Sequence, residues 1–165
     1  MNKRIKKKRI RMENKRLCKR YPFLIPRNIW NDKILWNYPK NHWFYTPKYE
    51  WTNLDFMPEG WRKAFGEQMC EEIRNALIKH NYLYKYRVTQ IKDKYGSLIW
   101  YDNGAPQEVY DIIHKYEWYS KRTCIYCGRE ATKMSLGWVN PFCDRCAEKN
   151  CIGAFVEIKE EENGI

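Results

Sequence analysis

The sequence predicts an α+β fold, with two amphipathic helices and a β-hairpin followed by a small C-terminal unit built around cysteines. Three observations predict it. Apolar residues recur three or four positions apart between residues 61 and 80 and again after Pro106, as in amphipathic helices. A stretch of alternating side chains with a glycine turn at its centre, typical of a β-hairpin, separates the two helical stretches. Two Cys-x2-Cys pairs follow the second one. A chain of 165 residues has room for one core and a small satellite unit.

Residues 1–20 form a basic N-terminal arm. They contain eleven Lys or Arg and a single acid, Glu13, whereas the remaining residues hold twenty basic and nineteen acidic groups. The arm has too few apolar residues for a convincing stripe, so a helix there would be solvated or induced by a partner. Two interpretations stay open, a solubilising tail and an arm that binds nucleic-acid phosphates. The candidate phosphate-binding residues are Lys6, Lys7, Lys8, Arg9 and Arg11.

Residues 21–122 are predicted to form the aromatic-rich α+β body. Its first part, residues 21–60, holds eleven aromatics and five prolines, which forbid long helices and central strands. We expect an extended segment that wraps over the body, burying some rings and exposing others. Exposed rings would act as anchors for a protein partner. The candidates are Trp30, Trp36, Trp43 and Trp51.

The body continues with a helix from Trp61 to about His80, a hairpin over residues 86–104, and a second helix that begins after Pro106. Steps of four residues place one apolar stripe on the first helix. A glycine turn and the terminal Asn103-Gly104 are typical of a hairpin. The stripe residues of the first helix are Trp61, Phe65, Met69, Ile73 and Leu77.

Residues 123–151 are predicted to be a four-cysteine unit of the zinc-ribbon or treble-clef type. Two pairs, Cys124-x2-Cys127 and Cys143-x2-Cys146, are separated by fifteen residues. A Cys-x2-Cys turn lets two thiolates reach one tetrahedral ion, and two turns complete a four-sulfur shell. Because sulfur fills every position, we expect one structural Zn²⁺ with no place for water or substrate.

Other interpretations of this unit stay open. Four free buried cysteines are one, and an iron–sulfur cluster is another, although the spacing favours zinc. Cys151 is the sole plausible substitute ligand, whereas Cys18 and Cys70 lack paired spacing. Residues 152–165 are predicted to give a short strand and an acidic tail.

The chain offers no recognised catalytic motif, so we expect a protein that binds rather than an enzyme. Its histidines, His42, His80 and His114, are far apart in sequence and belong to no metalloprotease, deaminase or nuclease pattern. No apolar run approaches the roughly 18 residues of a membrane span, and no apolar segment follows the basic start. We therefore expect a cytoplasmic protein with no membrane partner.

Three stretches, residues 60–83, 86–104 and 124–146, together resemble a family of small proteins encoded by phages and prophages of Gram-positive bacteria. The resemblance covers about residues 20 to 150 and implies a place in the cytoplasm of a bacterial host. The chain is also similar in type to zinc-containing anti-CRISPR proteins. That similarity implies binding to an RNA-guided host nuclease, or another host defence protein, and a block on target DNA loading.

Charge limits how such an inhibitor would work. A DNA mimic should be acidic to enter a positively charged channel, but this body is neutral and its arm is basic. An inhibitor of this composition would dock through aromatic and shape contacts, or compete for the nucleic acid. The alternative hypothesis is an accessory or regulatory protein that binds DNA or RNA through its basic arm. A structural or assembly protein of a virion is a third possibility.

Overall fold

The computed structural model describes residues 2–150 and 153–158 and confirms the α+β class. Helices pack around a two-stranded hairpin, and a second, three-stranded antiparallel sheet belongs to the C-terminal unit. Among the described residues, no helix combines the length and apolar character that crossing a bilayer requires.

Helix α1 spans Lys3–Arg20. The side chain of Asn2 caps it by accepting the N–H of Arg4 at 3.0 Å, and Lys and Arg are good helix formers. The expectation of a helix that is solvated or induced by a partner is correct only for its first two-thirds. From Asn14 onward the helix is docked on the body and buries three side chains, those of Asn14, Leu17 and Cys18.

Residues 21–60 form the extended, wrapped segment that their prolines predict. Short 3₁₀ turns interrupt the extended course at Pro22–Leu24, Leu35–Asn37 and Asn53–Phe56, other turns lie between them, and residues 59 and 60 already begin the next helix. Phe23 and Leu24 are fully buried, so the segment is attached to the core at its start.

The central helix is continuous from α2, Glu59–Trp61, through a π-helical turn, Arg62–Gly66, into α3, Glu67–Lys79. In an α-helix, residues four positions apart are rotated about the helix axis by roughly 40° relative to each other. The wider π-helical turn reduces this rotation and keeps the stripe on one side. All five residues of the predicted stripe are therefore buried: Trp61, Phe65, Met69, Ile73 and Leu77.

Strands β1, Val88–Lys94, and β2, Ser97–Asp102, form the predicted antiparallel hairpin. Tyr95 and Gly96 make its two-residue turn with φ of 53° and 73°, the signs required by a type I′ turn. Helix α4, Gln107–Ser120, then packs across α3, where the Tyr116 hydroxyl donates to Glu72 at 2.8 Å.

The C-terminal unit contains β3, Lys133–Ser135, β4, Pro141–Phe142, α5, Asp144–Lys149, and β5, Phe155–Glu157. Its strand order is β4-β3-β5, with both pairings antiparallel. A cysteine turn, a hairpin and a helix follow one another in the unit. Of the two predicted arrangements, zinc ribbon and treble clef, this order is that of the treble clef. Strand β5 is the predicted short strand, and the acidic tail lies outside the described residues.

Candidate functional site

The two cysteine pairs come together in space. All four Sγ atoms lie within 4.8 Å of one another: those of Cys124, Cys127, Cys143 and Cys146. The Sγ atoms of Cys127 and Cys143 are 3.6 Å apart, and four sulfurs about 2.3 Å from one tetrahedral ion would be roughly 3.8 Å apart. The cluster is compatible with one metal ion, and no other group of this kind is found among the described residues.

The first pair lies on a tight turn that requires glycine. Gly128 has a φ of +79°, in the left-handed region. Its N–H donates to the Cys124 carbonyl at 3.0 Å, and the Cys124 N–H donates to the Arg129 carbonyl at 2.7 Å. The backbone of Arg129 in turn hydrogen-bonds Cys127.

The second pair is held by the start of α5. Cys143 directly precedes the helix in an extended conformation, and Cys146 lies in the first helical turn. The Cys146 N–H donates to the Cys143 carbonyl at 3.0 Å. Residues three apart on a helical turn lie on the same side, so both thiols point toward the first pair.

The crowded site shifts the pKa values of Cys127 and Cys146 in opposite directions. Burial opposes ionisation of Cys127, but hydrogen bonds from the Arg129 backbone and the neighbouring thiols outweigh it and lower its pKa to about 7. Burial and the neighbouring sulfurs raise the pKa of Cys146 to about 12. Four thiolates at this spacing need a cation to offset their mutual repulsion, which fits a metal site.

The cysteine unit contacts the core through its backbone. The Gly60 N–H donates to the Ile125 carbonyl at 2.9 Å, and the Trp61 indole donates to the Thr123 carbonyl at 2.8 Å. A Cβ built on Gly60 would lie 2.2 Å from the Cys124 carbonyl oxygen. Only glycine allows this approach, so the start of the central helix is fitted directly to the first cysteine turn.

Helix α1 is attached to the same core by side chains. Arg16 donates to both oxygens of Glu67 at 2.6 and 2.8 Å, and Arg20 donates to both oxygens of Glu71 at 2.8 and 2.7 Å. Leu17 adds an apolar contact as part of the core cluster. These contacts hold the end of α1 and leave residues 3–13 exposed.

One side of α1 lines a groove of about 480 Å³ with the loop that carries Lys48 and Tyr49. We call this surface the basic groove, and its six cationic residues are Arg4, Lys7, Lys8, Arg11, Lys15 and Lys48. Three of the predicted phosphate-binding residues, Lys7, Lys8 and Arg11, therefore lie together. Lys6 lies outside the groove, and Arg9 lines a depression on the other side of α1.

The four predicted partner-binding tryptophans divide into separate surroundings. Trp30 and Trp43 are 75% and 82% exposed, and both contact Phe44, with ring centroids 5.8 and 4.0 Å away. Trp36 is half-buried beside Tyr49, and Trp51 is half-buried against Phe56. The structure thus places only Trp30 and Trp43 in one exposed cluster, the aromatic patch, formed by Trp30, Tyr38, His42, Trp43 and Phe44.

Cys18 and Cys70 are buried, and His42 and His80 each hydrogen-bond a neighbouring residue. Burial raises the pKa of Cys18 to about 12 and also raises that of Cys70, so both thiols stay protonated. Cys151 lies outside the described residues. His42 accepts the Phe44 N–H at 3.1 Å within the aromatic patch, and His80 pairs with Glu108 at 2.9 Å.

Two features of the structure are not predicted by the sequence. Trp138 is 83% exposed between the cysteine pairs, on the loop that joins β3 to β4. Arg27 and Arg87 line one cavity although they are sixty positions apart in the chain. Neither the tryptophan nor the two arginines belong to a motif with a fixed spacing, so no pattern of neighbouring residues predicts these features.

No protein-family model, curated protein or solved structure matches this chain. The resemblances that its sequence indicates therefore stay predictions.

Proposed function

We propose that this protein binds the phosphate backbone of a nucleic acid through the basic groove, with the metal-bound cysteine unit as a structural support. The observation that carries the proposal is the convergence of six cationic side chains along one side of an anchored helix. Lys and Arg that neutralise phosphates release condensed counterions, and this release drives sequence-independent binding.

The anchoring of α1 supports the proposal because it fixes the cations in advance. A solubilising tail needs no ordered contact with the body. Arg16 and Arg20, however, attach this helix to α3 through bidentate salt bridges to Glu67 and Glu71. Within the groove lining there is no carboxylate, and the Glu50 carboxylate at its edge lies 3.9 Å from Arg11. The groove therefore presents nearly unopposed positive charge.

A matched pair of double variants tests this function. Lys7→Gln/Lys8→Gln removes two groove cations, and Lys3→Gln/Lys6→Gln removes the same charge from α1 outside the groove. We expect the first to reduce the dependence of log K on log salt by roughly 1.8, at about 0.9 per phosphate contact, and the second to change it far less. Equal effects of the two variants, or no measurable DNA or RNA binding by the parent protein, would contradict the proposal.

We further propose that the metal is a single structural Zn²⁺. Four thiolates in the Cys-x2-Cys arrangement are the usual zinc shell, and no fifth donor from the described residues joins the cluster. The cysteines would hold the hairpin β3-β4 and helix α5 against the start of the central helix. Their role is to stabilise the fold and not to activate a substrate.

The exposed aromatic patch supports a second candidate function. Trp43 stacks on Phe44 with ring centroids 4.0 Å apart while 82% of its surface stays exposed. Rigid exposed tryptophans are typical anchors of protein interfaces. This feature favours the inhibitor hypothesis, in which the protein binds an RNA-guided host nuclease through apolar contacts.

The inhibitor hypothesis is tested by replacing one patch tryptophan and one equally exposed tryptophan elsewhere. Trp43→Ala should weaken binding to a purified RNA-guided nuclease by at least about 2 kcal/mol, with little dependence on salt. Trp138→Ala is the control, because Trp138 is as exposed but lies in the cysteine unit. Full inhibition by Trp43→Ala and Trp30→Ala would rule out docking through the patch.

A further inference from the structure

Arg27 and Arg87 come from distant segments and share one cavity of about 330 Å³. Arg27 lies in the wrapped segment, and Arg87 directly precedes β1. Lys85 also lines the cavity, so three cationic side chains meet there. Burial and the nearby Arg87 both lower the pKa of Arg27, which shows how closely the positive charges are placed.

One carboxylate opposes them within the lining of this cavity, that of Asp32. Arg27 Nη1 donates to the Asp32 carbonyl at 2.8 Å and to its Oδ2 at 3.1 Å. Arg87 Nε is 3.7 Å from Asp32 Oδ1, beyond hydrogen-bond distance. Because the Asp32 side chain is 60% exposed, its charge is well screened by water.

Two donors in the cavity lack partners. Among the buried side-chain nitrogen and oxygen atoms of the described residues, Nε of Arg27 and Nε of Arg87 are those without a hydrogen bond. A buried donor left unpaired destabilises a fold, and most such donors in native proteins have a partner. Two unpaired Nε–H groups in one cationic cavity need acceptors that the described residues do not supply, from ordered water or from a ligand.

We propose that the cavity lined by Arg27, Lys85 and Arg87, the arginine pocket, binds a phosphate group. A guanidinium offers Nε–H and Nη–H as a fork that matches two oxygens of one phosphate. Three cations and one carboxylate give the pocket a net positive charge. This charge favours an anionic ligand that carries several oxygens. The site is separate from the basic groove and shares no lining residue with it.

Backbone contacts hold the pocket in shape without a ligand. Asn103 accepts the Arg87 N–H at 2.7 Å and donates to the Lys85 carbonyl at 3.0 Å. Arg87 Nη1 donates to the Tyr86 carbonyl at 2.7 Å, so one nitrogen of this guanidinium is already fixed. The phosphate would therefore enter a site whose cations are positioned, and free phosphate or the phosphate of a nucleic acid could supply it.

Nitrogen-15 NMR of the arginine Nε–H signals tests the proposal directly. Inorganic phosphate is titrated in one arm and a short single-stranded oligonucleotide in the other, with chloride at matched ionic strength as the control. We expect saturable shifts of the Arg27 and Arg87 signals. Arg87→Lys, which keeps the charge but loses the fork, should weaken binding about ten-fold, and Asp32→Asn, which removes the competing carboxylate, should strengthen it.

The two arms identify the source of the phosphate. Shifts with inorganic phosphate assign the site to a free phosphate group, and shifts with the oligonucleotide alone assign it to a nucleic acid. Shifts in neither arm would overturn the proposal, as would equal affinity in Arg87→Lys or unchanged or weaker binding by Asp32→Asn. Lys7→Gln/Lys8→Gln should leave the phosphate affinity of the pocket unchanged, which separates this result from the fate of the basic groove.

Discussion

Helix α1 and the cysteine unit lie at opposite ends of the chain and are attached to one core in different ways. Side chains attach α1, through the pairs Arg16–Glu67 and Arg20–Glu71. Backbone atoms attach the cysteine unit, where the Gly60 N–H meets the Ile125 carbonyl at 2.9 Å. Salt and low pH weaken attachment by exposed ion pairs. Attachment by close backbone packing is instead weakened by a larger side chain at the contact or by loss of the metal.

The largest effect is expected from removing a metal ligand. Cys143→Ser should lose the ion and unfold the unit around it, because structural zinc contributes about 10 kcal/mol or more to the folding of small zinc domains. Hydrogen exchange should show loss of protection in β3 and β4 and retention in α3. Cys18→Ala is the control and should keep the ion, so a metal content unchanged by Cys143→Ser would contradict the assignment.

Added volume at the backbone contact should have the next largest effect. Gly60→Ala places a Cβ 2.2 Å from a carbonyl oxygen and should reduce the free energy of unfolding by about 3 kcal/mol. Gly66→Ala is the matched control in the same helix, since its Cβ meets only flexible side chains of Met57 and Arg62, at 3.3 and 3.4 Å. Denaturant unfolding of both variants measures the difference, and equal stabilities would show that the contact is loose.

Acid should weaken the docking of α1 on the body. Hydrogen bonds from Arg16 and Arg20 hold the pKa values of Glu67 and Glu71 below their ordinary range. Carboxylates with a lowered pKa stabilise the fold fully above about pH 4.3, and this contribution is lost as pH falls through their folded pKa. NMR signals of Leu17 should report the detachment, and Glu67→Gln should make docking weaker but less dependent on pH.

The smallest effect is expected from one ion pair alone. Arg16→Ala should reduce stability by about 1 kcal/mol or less, because both partners are half-exposed and screened by solvent. The loss should shrink further in high salt, unlike the effect of Gly60→Ala. Lys6→Ala leaves the pair intact and serves as the control. A salt-independent loss in Arg16→Ala would indicate that Arg16 acts by packing rather than by charge.

The elements that the sequence predicts are those whose signals are local. The stripe from Trp61 to Leu77, the glycine turn at Gly96 and the paired cysteines each carry their signal within a few residues. Periodicity and turn chemistry are set by neighbouring positions, so they can be read without knowing the rest of the fold.

The docking of α1 and the arginine pocket depend on residues that are distant in the chain. Leu17 and Asn14 are too few to form a stripe, and the acids that pair with α1 lie about fifty positions later. Arg27 and Arg87 meet only because the wrapped segment passes the start of β1. Such contacts follow from tertiary packing, which composition and spacing do not encode.

X-ray absorption at the metal edge of protein purified under reducing conditions identifies the ion that the four cysteines hold and counts its sulfur neighbours. We expect one zinc ion per chain with four sulfur neighbours at about 2.3 Å and no oxygen neighbour. Metal-free protein that keeps its cysteine unit folded, or an ion with fewer sulfurs and a bound water, would contradict it.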